Sequence, residues 1–193
     1  MSIRLLILGL LMEKDRHPYE IRQTIKDRNW HHTFKVRDGS LYYAFDQLRE
    51  SGLIEVAETI PVPGDNRPDK TVYRINDAGK GHFLELLFAQ MEETASPQHP
   101  LFVCMPFVHH VDQEKFAALV QKQINDSIVR IERLQSVIAV KGDKVPPGAL
   151  HLMQGIVMFS ETEKRWLEQV QADALSGKLQ NPLNTCGSEP PTQ

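Results

Sequence analysis

Apolar residues recur at helical spacing along most of this chain, and the breaks in that spacing divide it into elements. Ile3 to Met12 is short and strongly apolar, built on Leu and Ile with polar ends, and reads as a buried first helix. His17-Pro18 opens a second helix over Tyr19 to Arg28. Proline suits the first helical position, Glu20 stands in the first turn and Lys26 and Arg28 in the last, all in agreement with the helix dipole. Ile21 and Ile25 mark its inner face. Asn29 to Val36 holds Trp30, two histidines and Phe34 with no clear period, and reads as a connection. Asp38 then reads as the N-cap of a third helix, in which Leu41, Ala44, Phe45 and Leu48 recur at threes and fours as far as Ser51. Gly52 is placed to end it.

After the third helix the period changes. Leu53 to Ile60 alternates in part, and Lys70 to Ile75 is β-branched and aromatic, with a turn-rich stretch between them that carries Pro61, Pro63, Gly64, Asp65, Asn66 and Pro68. This predicts a β-hairpin with a long tip. Asn76 or Asp77 caps a fourth helix to about Thr94, with Phe83, Leu84, Leu87, Phe88 and Met91 on one side. Ser96-Pro97-Gln98-His99-Pro100 marks a boundary. Leu101 to Val111 is apolar, aperiodic and broken by Pro106, and is expected to be extended. Asp112 caps a long helix of about 113 to 140, on which Ala117, Val120, Ile124, Ser127, Ile131, Leu134 and Ile138 follow a 3-4 repeat. After Val145-Pro146-Pro147-Gly148, a last helix of about 149 to 175 repeats the spacing with Leu152, Ile156, Phe159, Glu163, Trp166 and Val170. From Lys178 the chain is rich in Asn, Pro, Gly and Ser and is expected to be disordered.

The expected architecture is therefore mainly α with one small β-hairpin. Residues 1–80 form a winged helix-turn-helix, 81–98 a connecting helix and linker, 99–178 a helical dimerisation domain with room for an effector, and 179–193 a tail. In a winged helix-turn-helix the third helix enters the DNA major groove. Opposite the core positions of this one stand Ser40, Tyr43 and Gln47, with Tyr42 at the edge. Glutamine can pair with adenine through two hydrogen bonds, and Tyr or Ser can reach phosphates. Taken alone, this is an ordinary polar helix face.

Charge changes that picture. The chain has 22 Lys and Arg against 25 Asp and Glu, a net −3 that excludes a globally basic nucleic-acid binder and an acidic disordered chain alike. Residues 1–80 nevertheless hold 13 basic and 12 acidic residues, while 81–193 hold 9 and 13. Within the first part, the stretch from Arg22 to Arg37 carries five basic residues, Arg22, Lys26, Arg28, Lys35 and Arg37, against one acid, Asp27. Lys35 and Arg37 precede the third helix, and Arg67 and Lys70 occupy the hairpin tip, so four cations bracket one helix.

Residues 5–80 resemble the PadR family of transcriptional regulators. The resemblance rests on Leu6-Ile7-Leu8-Gly9-Leu10-Leu11, His17-Pro18-Tyr19-Glu20-Ile21, Gly39-Ser40-Leu41-Tyr42 with Leu48, Glu50-Ser51-Gly52-Leu53-Ile54, Val72-Tyr73-Arg74-Ile75 and Asp77-Ala78-Gly79. Pro18 stands where the family usually has Gly, and Tyr43-Ala44-Phe45 where it usually has Pro-Ala-Leu. The helical second half is similar in order and length to that of the larger subclass, whose C-terminal domain is like that of the virulence activator AphA. The resemblance implies a homodimer, a pseudo-palindromic double-stranded DNA operator and, in many members, a small-molecule signal. The alternative is a winged-helix interaction module that touches protein and not DNA.

The two long helices carry apolar seams that are expected to form the dimer, through Val120, Ile124, Ile131, Leu134, Ile138, Ile156, Phe159 and Trp166. Trp30, Phe102, Phe107, Phe159 and Trp166 are the aromatic residues available to a pocket for a small aromatic effector between the two halves, or to ordinary packing.

Other chemistries find little support. No Gly-x-Gly-x-x-Gly, phosphate loop or Gly-x-Ser-x-Gly occurs. The pairs His31-His32 and His109-His110 lack metal-ligand spacing, since adjacent residues are expected to face apart. Neither an enzyme nor a cofactor is expected. Cys104, next to Met105 and Pro106, reads as a small buried hydrophobe, and Cys186 lies far from it, so no disulfide framework can be read. The Asn125-Asp126-Ser127 sequon falls inside a helix. No apolar run approaches the roughly 20 residues that span a bilayer. The run from Leu5 to Leu11 lacks a small-residue cleavage site, so no secretory leader is expected and the cytoplasm is the expected compartment.

Overall fold

A computed structural model describes residues 3–34, 36–61 and 69–180, with the backbone alone at His32. The chain divides into two compact units, Met1–Ser96 and Pro97–Gln193. The first contains α1 (Ile3–Glu13), α2 (Pro18–Asp27), a short α3 (Trp30–Thr33), α4 (Asp38–Glu50), strands β1 (Ile54–Ile60) and β2 (Lys70–Ile75), and α5 (Asp77–Glu92). The second contains a 3-10 helix (Met105–His110), α6 (Gln113–Lys141), a 3-10 turn (Gly142–Lys144), α7 (Pro147–Leu175) and a 3-10 turn (Lys178–Gln180).

The core of the first unit is the one the spacing dictates. Ile7, Leu8, Leu10 and Leu11 of α1, Ile21 and Ile25 of α2, and Leu41, Ala44, Phe45 and Leu48 of α4 close around Ile54, Tyr73 and Ile75 of the hairpin. Tyr73 meets Phe45 edge to face at 5.0 Å between ring centroids. Burying these side chains is worth about 1.5–3 kcal/mol each, which lets short helices of modest propensity hold their shape. Strands β1 and β2 pair antiparallel from Ile54↔Ile75 to Ile60↔Lys70, with a bulge between Val56 and Glu58. Beyond Ile54 the residues of β1 leave the core, and the hairpin projects as a wing.

Arg16 joins the parts. Its backbone exchanges two 3.0 Å hydrogen bonds with Tyr73, adding a one-residue third strand beside β2. Its buried guanidinium donates to the Leu10 carbonyl at 3.1 Å, Thr24 Oγ1 at 3.0 Å and Glu13 at 2.6 Å. A buried charge is tolerated when its donors are matched in this way.

Several expectations are corrected. Asn29 to Val36 is not all connection, because Trp30–Thr33 makes one helical turn after Asn29 adopts a left-handed backbone (φ 56°). Asp38 is the first residue of α4 and not its cap, and Arg37 is the N-cap residue. Gly52 does end α4, with φ +67°. Asn76, not Asp77, caps α5, accepting from the Gly79 N–H at 2.9 Å. On α5 it is Phe83 and Leu86 that pack on the core, while Leu84, Phe88 and Met91 are exposed. Leu101 to Val111 is not extended: it turns into the Met105–His110 3-10 helix, which buries Leu101 and Val108. Residues 178–180, expected in the tail, form a turn, and residues 181–193 lie outside the described ones.

In the second unit α6 and α7 form an antiparallel hairpin with a core of Phe116, Ala117, Val120, Ile124, Leu167, Val170 and Ala174. Asp112 caps α6, accepting from the Lys115 N–H at 2.7 Å. Within the hairpin Glu163 accepts from Ser127 at 3.1 Å and from Arg130 at 2.5 Å, and its other oxygen lies 3.2 Å from His99 Nε2.

Candidate nucleic-acid interface

The 3-4 spacing that turns Leu41, Ala44, Phe45 and Leu48 inward leaves the opposite face of α4 to solvent. Ser40, Tyr42 and Tyr43 are exposed, Tyr43 at 66%, and Gln47 is half-buried. Ser40, Tyr43 and Gln47 share an open groove of about 560 Å³ with Arg4 of α1 and His82 of α5, whereas Tyr42 lies outside it. Gln47 Nε2 donates to the Tyr43 hydroxyl at 2.7 Å, and Arg4 donates to Gln47 Oε1. Sequence reasoning missed Arg4, whose one visible signal was a lone cation at the head of an apolar helix.

The basic residues of this unit have unequal freedom. Arg37 is exposed at the start of α4 and has no ion pair among the described residues. Arg22 reaches Asp38 at 2.6 Å and Lys26 lies 3.9 Å from the same carboxylate, so α2 is tied to the beginning of α4. The Arg22 hydrogen bond holds the Asp38 carboxyl below the usual range. Arg28 is spent inside the unit. It grips both Glu13 oxygens at 2.7 and 2.8 Å and stacks 4.9 Å from the Trp30 ring centroid. Lys70, at the start of β2, pairs with Glu20 at 2.7 Å. Lys35 and Arg67 lie outside the described residues, so two of the four bracketing cations have a described position.

The seam residues of the second unit divide in the same manner. Val120 and Ile124 are closed inside the chain's own α6–α7 core. Ile131, Leu134, Ile138 and Ile156 are half-buried, and Phe159 is 81% exposed. Trp166 packs edge-on against His99 and Phe102, at 4.9 and 5.2 Å. Of the aromatic residues considered for an effector, Trp30 belongs to the first unit. Phe107 lines a groove of about 1090 Å³ in the second, with Leu101, Val103, Cys104, Val111 and Leu119. Cys104 is exposed there, against expectation, because the 3-10 turn buries Leu101 and Val108 instead. His109 and His110 do not face apart, since the same tight turn brings their rings to 3.9 Å. Among the described residues no group of three or more His, Cys, Asp or Glu could hold a metal. No helix among them is long and apolar enough to cross a membrane.

A three-helix core with a projecting two-strand wing and a solvent-facing third core helix defines a winged helix-turn-helix protein. Residues 7–85 match the model of the transcriptional regulator PadR-like family. An uncharacterised protein of Lysinibacillus sphaericus is 34% identical over 90 residues, which cover 46% of this chain and 79% of that one. The chain belongs to the PadR-like family. Among solved structures, Bacillus subtilis PadR in complex with operator DNA superposes with a TM-score of 0.73 at 18% identity, over 89% of this chain and 98% of that one. The same protein in complex with p-coumaric acid gives 0.69 at 17% identity, with the same coverage.

Proposed function

We propose that this chain is a homodimeric transcriptional regulator that binds a two-fold-symmetric DNA operator through α4 and the wing. The observation that carries this reading is the α4 face. Ser40, Tyr43 and Gln47 are withheld from the core, gathered in one groove, and preceded by an exposed Arg37 that has no ion pair among the described residues. Gln47 reads base edges, while Arg37, Ser40, Tyr42, Tyr43, Lys35, Arg67 and Lys70 contact the backbone. Family membership and the operator complex of Bacillus subtilis PadR support it. Its role is binding and not catalysis, and its compartment is the cytoplasm.

Pairing of two copies is supported by apolar side chains that the second unit leaves exposed, among them Val129, Val140, Met158 and Phe159. Two copies related by a two-fold axis set two α4 helices about 34 Å apart along the duplex, or a multiple of that. The helical second unit belongs in this reading to the larger, AphA-like subclass. A small aromatic effector is supported by the p-coumaric acid complex of the neighbour, and acts by binding the DNA-competent and incompetent dimers unequally.

The test is protection mapping on the DNA upstream of the chain's own gene, with wild type and Gln47→Ala. A protected pseudo-palindrome whose sequence preference relaxes in Gln47→Ala is expected. Duplex binding with no preference would overturn operator readout by α4, and no duplex binding at all would favour the protein-interaction module.

A further inference from the structure

Arg4 is the residue that α1 sends to the reading face. It crosses 43 positions of sequence to donate to Gln47 Oε1, while Gln47 Nε2 donates to the Tyr43 hydroxyl at 2.7 Å. A guanidinium has five N–H donors and no acceptor. It therefore accepts one orientation of the neighbouring amide and refuses the other: oxygen toward α1, nitrogen toward Tyr43. An amide turned by 180° would set its NH2 against the guanidinium, donor against donor. Each polar atom of Gln47 still keeps one valence, a second lone pair on Oε1 and a second hydrogen on Nε2, for an outside partner.

We propose that Arg4 is a positioning residue for sequence readout, fixing the donor–acceptor polarity of the Gln47 amide before DNA arrives. The inference rests on the DNA-binding reading of α4. In the major groove adenine offers N7 as acceptor and N6–H as donor, and a glutamine matches both only when its oxygen meets N6 and its nitrogen meets N7. An amide free to rotate presents the right and wrong orders alike and must be ordered on binding. One already held by Arg4 and Tyr43 loses less freedom on binding and rejects the reversed pattern. Tyr43 contributes less to this choice, because a hydroxyl both donates and accepts and tolerates either orientation.

The chemistry of the side chain at position 4 makes the proposal testable with the full chain. Arg4→Lys keeps a donor-only group. Arg4→Gln is shorter by about two bonds and uncharged, but its amide can donate or accept, so it no longer enforces one orientation of Gln47. The measurement is competition binding against operators substituted one base pair at a time, with thermal melting to confirm folding and affinity followed across salt concentrations. Wild type is expected to prefer adenine at one position of each half-site by about tenfold or more. Arg4→Lys should keep most of that preference. Arg4→Gln should reduce it to about threefold or less at that position alone, with the salt slope unchanged, and should cost nothing further in a Gln47→Ala background. Uniform weakening on all sequences with the salt slope reduced by about one would make Arg4 a phosphate contact and overturn the proposal. So would an unaltered preference in Arg4→Gln. A wild-type chain that binds duplex with no base preference overturns the underlying DNA reading as well, and that failure is visible before any variant is compared.

Discussion

Lys70 Nζ lies 2.7 Å from Glu20 Oε1, joining β2 to α2 across fifty positions of sequence. Glu20 also accepts from the His17 backbone N–H at 3.4 Å, while His17 Nδ1 accepts from the Tyr19 N–H at 3.1 Å. One carboxylate thus closes the N-terminus of α2 and holds the far end of the described hairpin, where Lys70 pairs with Ile60. The Lys70 hydrogen bond keeps its pKa below the ordinary value.

Lys70 cannot serve Glu20 and a phosphate equally well. Glu20→Gln removes the competitor and one negative charge from the proposed DNA face. It should tighten duplex binding and steepen the salt dependence by about one. The pair is 40% exposed on both sides, so the variant should lose less than about 1 kcal/mol of stability. Lys70→Ala should weaken binding to all sequences about equally. If neither variant shifts affinity or salt slope in a filter-binding titration, the wing does not touch DNA.

Gly79 tests the other end of the hairpin. A Cβ there would stand 2.1 Å from the Leu53 carbonyl oxygen and 2.7 Å from Ile75 Cγ1, so α5 can start where it does only because this residue lacks one. Gly79→Ala should cost about 3 kcal/mol or more, since the obstacle is backbone. Gly81, on the same helix, faces open space. Gly81→Ala should be neutral or stabilising by up to about 1 kcal/mol. Urea unfolding of the two variants checks the contrast, and an equal effect at both sites would refute it.

What could be read from the sequence was whatever a local rule determines. The inner faces of α2 and α4 and the β-branched strands follow from spacing and residue type and stand as expected, and of the two candidate caps of α5 the structure uses Asn76. Asp38 misled because an aspartate before Gly-Ser fits a cap, whereas its carboxylate is taken by Arg22, sixteen residues earlier. Leu101 to His110 misled because a 3-10 turn has neither the strand period nor the α period. The spacing on α5 gathered Phe83, Leu84, Leu87, Phe88 and Met91 on one side, but hydrophobicity does not say which face a helix buries, and much of that side is exposed. The Arg4–Gln47 contact had no signal beyond a lone cation at the head of an apolar helix. It is a meeting of two helices 43 residues apart, determined by the packing of α1 on α4.

His17 sits where protonation is opposed first by burial and then by the charge of Lys70, with only Glu20 pulling the other way, and its pKa lies below 6.5. A proton on Nδ1 would also convert the acceptor for the Tyr19 N–H into a donor and set a charge on the positive end of α2. Between the folded and unfolded values the unfolded chain binds more protons. Stability therefore rises with pH in that window, is fully present above about 6.5, and is lost as pH falls through the folded value. Glu13 and Glu20, held below 4.5 by the hydrogen bonds of Arg28 and Lys70, obey the same sign at lower pH. Acidification should therefore destabilise the winged unit in two stages, the first below about pH 6.5 and the second below about 4.5. His17→Asn retains a side-chain acceptor suited to an N-cap and cannot titrate. Urea midpoints measured from pH 8 to pH 3 should show the first stage in wild type and not in His17→Asn, with the second stage common to both. A first stage that persists in the variant would move its origin away from His17.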